Sequence, residues 1–153
     1  MFLYRLKNFI YVAVAVVFSL LVFMAMKTAN VSRLSSIQGE RVFFLDSASS
    51  QGLMKEELSL VELGRVKGEC VSFSLNTYEG GRYALSEDIA QAIAKEFDAK
   101  ILLKEEIAGG TSYYCYTSRW QDHILIEGQI INLHVAVSNG QCSVGAPIIF
   151  GGF

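Results

Sequence analysis

The chain has 153 residues, 52% of them apolar, with 13 basic and 15 acidic side chains and a net charge of −2. That length suits one hydrophobic core and is too short for two. All fifteen acids lie from Glu40 onward and only ten of the bases lie after Lys27, so the C-terminal body is net acidic. Such a surface repels phosphate backbones, and no nucleic-acid partner is expected.

Phe9 to Met26, FIYVAVAVVFSLLVFMAM, holds eighteen residues without a charge, Pro, Asn or Gln. At about 1.5 Å of rise per residue a helix over it reaches roughly 27 Å, close to the hydrocarbon thickness of a bilayer. Arg5 and Lys7 precede the run, as in a signal peptide or an N-inside signal anchor. The run exceeds a usual signal core of about 7–15 residues, and its exits make poor cleavage sites. Cleavage after Ala29 sets Lys27 three residues back, and cleavage after Met26 follows a bulky residue. The expectation is a single uncleaved span facing the lipid bilayer, N-inside, with the remainder outside the cell membrane. Secretion after signal cleavage is the alternative. The expected organisation is an anchor or signal at 1–29, a linker at 30–40 and one extracytoplasmic domain at 41–153. The linker reading rests on the Ser- and Asn-rich composition of TANVSRLSSIQG.

Arg41 to Asp46 (RVFFLD) predicts a strand that ends in Ser47 to Ser50. Met54 to Gly64 fits a short helix, through Met54, Leu58 and Val61, better than an alternating strand. Cys70 to Asn76 alternates, with Val71, Phe73 and Leu75 on one side, as in a half-buried strand closed by a turn at Tyr78 to Gly81. Ser86 to Phe97 predicts a helix capped by Ser86, with Glu87 and Asp88 in its first turn and Ile89, Ala92, Ile93 and Phe97 along its apolar stripe.

Four further strands follow, at residues 100–107, 111–120, 129–138 and 142–150. Between the last two stands Asn139-Gly140, the strongest short hairpin signal. The apolar end, Ile148 to Phe150, is expected to pair with a neighbouring strand, since chain ends otherwise fray. The fold class is α+β: an N-terminal transmembrane helix, then an antiparallel sheet with one or two helices on one face.

Candidate chemistry is sparse. A thiol nucleophile needs a base within reach, and Cys115 with His134 or His123 supplies the residue types without any familiar spacing. Cys70, Cys115 and Cys142 form no CxxC pair, and their redox state stays open between one bridge and three free thiols. No close ligand pair announces a metal, and no phosphate-binding glycine loop occurs, so no cofactor is expected. Glu87 and Asp88 suit a helix start, while Glu56-Glu57 and Glu105-Glu106 read as solvated charges. Aromatics are enriched where proteins recognise partners. Strand alternation sends Tyr114, Tyr116 and Trp120 to one side, and with Asn132 and His134 on a neighbouring strand they form the candidate recognition surface.

Several runs together resemble the YwmB-like family of Gram-positive bacteria: Val66 to Glu69, Phe97 to Leu102, Thr111 to Tyr116, Ile131 to Ser138, and the ending from Val144 to Phe153. The resemblance implies an N-terminal signal or anchor and an exported domain. It also implies a fold like that of the TATA-box-binding protein, a curved antiparallel sheet with helices on one face. It carries no catalytic motif, and a shared fold does not bring DNA binding with it. The functional expectation is a membrane-anchored binding or interaction module of the bacterial envelope, with an envelope protein or cell-wall partner. A thiol-dependent enzyme is the alternative.

Overall fold

The computed structural model describes residues 2–46, 53–58, 62–76 and 85–150. It divides into two compact units, residues 1–32 and residues 33–153. The first unit is one helix, α1 (Phe2–Val31). Its window Lys7–Met24 has a mean hydropathy of 2.1, and none of it is buried. A helix satisfies its own backbone hydrogen bonds, so only its side chains need an apolar surrounding. α1 is long and apolar enough to cross a membrane.

The second unit is α+β. Its main sheet has seven strands in the order β2-β1-β3-β9-β8-β5-β4, all neighbours antiparallel. The strands are β1 (Glu40–Leu45), β2 (Leu53–Lys55), β3 (Val66–Ser74), β4 (Ala99–Ile107), β5 (Gly110–Thr117), β8 (Leu133–Ser138) and β9 (Gln141–Ala146). β6 (Ile124–Ile126) and β7 (Gln129–Ile131) form a separate hairpin. α2 (Ser86–Glu96) lies against β4, β5 and β8.

Registers separate the two faces of the sheet. Val135 stands opposite both Tyr113 and Val144, Val144 opposite Val71, and Cys115 opposite Leu133. These residues share the face that meets Ile89, Ala90 and Ile93 of α2, and all are buried in one cluster. The outer face carries Tyr114, His134, Ser112, Ala136, Ser143 and Ser72. At roughly 1.5–3 kcal/mol per buried aliphatic or aromatic side chain, the helix-side cluster is the main source of stability.

Residues 33–39, expected as linker, instead belong to this unit. Leu34 and Ile37 are fully buried in the same cluster as Val71 and Phe73. What holds them is Glu69, itself buried, on the face it shares with Val71 and Phe73. Its carboxylate accepts the Arg33 N–H at 2.8 Å and the Leu34 N–H at 3.2 Å, and it lies 3.4 Å from Arg41 Nε. Arg41 Nη2 donates to the carbonyls of Leu34 and Ile37, at 2.9 and 3.1 Å. One carboxylate and one guanidinium thereby bind the turn that follows α1 to the sheet.

Other expectations are corrected. Within 54–64 the described residues form β2 and a single 3-10 turn, Leu63–Arg65, rather than a helix; β2 pairs with β1 and so satisfies its backbone across the sheet. Residues 59–61, the loop at 47–50 and the turn at 78–81 lie outside the described residues. Leu85, not Ser86, is the residue preceding the α2 helix, and the Ser86 hydroxyl is 2.9 Å from that of Tyr113. The 129–138 run breaks at Asn132 into β7 and β8, and Glu127-Gly128, both at positive φ, turns β6 into β7. β9 ends at Ala146, so Ile148 to Phe150 form no strand. The chain passes a cis Ala146-Pro147 bond and folds back over the outer face. A Cβ on Gly145 would stand 2.5 Å from the Ile149 nitrogen, so that position needs glycine, and one on Gly68 would stand 2.7 Å from the Phe150 ring and displace it.

Glu69→Ala removes the buried acceptor of two backbone N–H groups and the charge partner of Arg41. Unfolding of the full-length chain in detergent is expected to show a loss of about 3–5 kcal/mol, against about 1–3 kcal/mol for Glu69→Gln. A loss under about 0.5 kcal/mol for Glu69→Ala would show that the turn is held by its apolar side chains alone.

Candidate functional site

The five residues of the expected recognition surface do not share a face. Tyr114 and His134 do: they are cross-strand neighbours on the outer face, with rings stacked at 4.5 Å and 18°. Tyr116 follows on the same side and is 38% exposed. The Tyr114 hydroxyl donates to Glu105 at 2.9 Å, and burial together with this bond raises its pKa.

Trp120 lies past the end of β5, where the alternation of the strand no longer governs it. Its ring packs 5.4 Å from Phe97 on the helix side, and Arg33 sits over it at 5.9 Å. Arg33 in turn pairs with Asp122. Asn132 is fully buried and serves the backbone. Its Oδ1 accepts the Thr117 N–H at 2.8 Å, while Nδ2 donates to the carbonyls of Thr117 and Trp120, at 2.7 and 3.1 Å. A lone Asn in the apolar run IINLHV was the signal for such a role, since a buried amide must bond to something.

His134 is 3% exposed, and its Nδ1 accepts the Ile149 N–H at 3.3 Å. An accepting Nδ1 places the proton of the neutral ring on Nε2. Burial lowers its pKa to about 4. The ring is a neutral post on which the returning C-terminal segment is hung, and Phe150 beyond it packs at 5.0 Å against Phe44.

All three cysteines are free and buried. Desolvation pushes Cys115 and Cys142 up to about 12 and raises Cys70 as well. A thiol held protonated is a poor nucleophile. Cys115 faces α2 and its thiol contacts the Tyr113 carbonyl at 3.9 Å, whereas His134 faces the other way. His123 is exposed, with its Nδ1 at 2.9 Å from the Gln121 carbonyl. Neither histidine meets Cys115. Among the described residues no group of three His, Cys, Asp or Glu side chains could hold a metal ion.

Two open grooves mark this unit. One, of about 530 Å³, lies between Val66-Lys67, the Gln121 to Ile124 segment, Pro147 and Phe150. The second, of about 430 Å³, runs between the last turns of α2 and the start of β4, with Ala94, Ala99 and Ile101 beside Gln91, Lys95 and Asp98. The sequence reading found neither, because each joins residues distant in the chain or brought together by the α2–β4 turn.

No family model, curated protein or solved structure matches this chain.

The His134 ring carries a pH signature. Its folded pKa of about 4 lies below the ordinary 6.5, so its contribution is complete above pH 6.5 and is lost as pH falls toward 4. The loss is about 3 kcal/mol. The stability difference between the natural chain and His134→Gln is expected to shrink by that amount between pH 7 and pH 4 in denaturant titrations. A difference that stays constant would show that the ring charges freely in the folded state.

Proposed function

We propose that this chain is a membrane-tethered module of the bacterial envelope, with its acidic α+β domain outside the cell and its work the binding of an envelope or cell-wall partner. The observation that carries this reading is α1, whose apolar side chains from Phe9 to Met24 are exposed all around, in a unit of its own. A helix apolar on every side is a poor object in water and a good one in lipid. The resemblance to the YwmB-like family points the same way, toward an exported domain behind an anchor.

A binding role fits the chemistry of the domain better than catalysis does. Its thiols are buried and protonated, and its buried histidine is committed to the C-terminal segment. Tyr116 on the outer face and the two grooves are accessible.

Topology is the test, and the natural cysteines are too buried to report it. Ser118 is exposed in the turn after β5. On intact cells, Ser118→Cys in the full-length chain is expected to react with a membrane-impermeant maleimide while the natural chain does not. Labelling only after lysis would place the domain inside. A mature chain recovered from the medium and beginning near Asn30 would remove the tether.

A further inference from the structure

β4 is the last strand of the seven-stranded sheet, and among the described residues no strand lies beyond it. Its nine residues, AKILLKEEI, present an outer row of main-chain donors and acceptors, the feature by which one sheet pairs with another. Charges and bulges guard an edge against indiscriminate pairing, and this edge has both. Its charges are of both signs, with Lys100 and Lys104 followed by Glu105 and Glu106, so a partner must match them.

A register shift between Ile101 and Leu103 decides which of these charges share a face. Lys100 stands opposite Tyr116 and Glu105 opposite Ser112, both on the outer face of the sheet. Ala99, Ile101, Lys104 and Glu106 stand opposite Thr117, Cys115, Tyr113 and Thr111, on the helix face. Lys100 and Glu105 are five residues apart and would face opposite ways in a regular strand. The bulge puts them on the same side.

The geometry points to β4 as a self-pairing edge, to which a second copy of this chain adds its own β4 antiparallel about a two-fold axis. In that register Lys100 of each copy faces Glu105 of the other, so the same attractive pair forms twice, as an isologous interface requires. The faces agree along the rest of the strand: Ile101 meets Lys104 of the second copy, and Ala99 meets its Glu106. These two side chains then enter the groove beside α2, whose rim offers Asp98 to the incoming Lys104 and Lys95 to the incoming Glu106. Within one copy Lys104 already pairs with Glu87 at 3.7 Å and with Glu106 at 3.5 Å. Those pairs are solvent-exposed and exchange partners at little cost. This inference concerns the second unit and does not depend on which side of a membrane it occupies.

The test is the oligomeric state of the full-length chain in detergent micelles, by sedimentation over a range of concentrations, with charge swaps. The natural chain is expected to dimerise. Lys100→Glu and Glu105→Lys each set like charges opposite each other twice, and each is expected to weaken the dimer roughly tenfold or more. The double swap Lys100→Glu/Glu105→Lys recreates the attraction in reverse and is expected to restore the natural dissociation constant to within about threefold. Restoration also shows that the single variants failed through charge rather than through folding. A natural chain that stays monomeric, a dimer indifferent to the single swaps, as when α1 alone associates, or a double swap that does not restore it would each overturn the proposal.

Discussion

A buried carboxylate decides where this domain begins. Glu69 stands on the helix face of β3 between apolar neighbours, a position where an unpaired charge costs several kcal/mol. The Arg33 and Leu34 N–H groups donate to it, and the Arg41 guanidinium of β1 lies beside it. Without the carboxylate these two N–H groups lose their acceptor, and the turn it holds buries Leu34 and Ile37 over the sheet.

The two faces of the sheet have different occupants. One is closed by α2 and by the 33–37 turn, which together cover the aliphatic cluster. The other is crossed by the chain after Pro147, held by the neutral His134 and by the Phe44–Phe150 contact. Small residues under that crossing, Gly145 and Gly68, let backbone and ring approach the sheet. The three thiols and His134 are thereby buried in the structure, while His123 stays exposed.

Much of the fold was legible. Alternation identified β3, whose Val71 and Phe73 share the helix face, and the 3.6-residue stripe of Ile89, Ala92, Ile93 and Phe97 found α2. Asn139-Gly140 marked its hairpin, with both residues at positive φ. The long apolar helix α1 was legible from composition alone. The failures have physical causes. Three-residue strands such as β2 and β6 hold too few residues to show a period. Trp120 lies beyond its strand, so parity misplaced it. Asn132 was placed on the recognition surface because an amide that bonds the backbone of Thr117 and Trp120 looks, in sequence, like one turned to water. Glu69 was legible and overlooked: it sits two residues before Val71, so alternation already placed it on the buried side.

Hydrogen exchange tests the role of the Glu69 carboxylate most directly, read at the Arg33 and Leu34 amides of the full-length chain in detergent. If the carboxylate holds the turn as part of the folded core, these two amides exchange only with global opening, as slowly as those at the centre of β8. Exchange at the rate of an unprotected peptide, while β8 stays protected, would show that the domain folds without the turn and that the buried pair does not set its boundary.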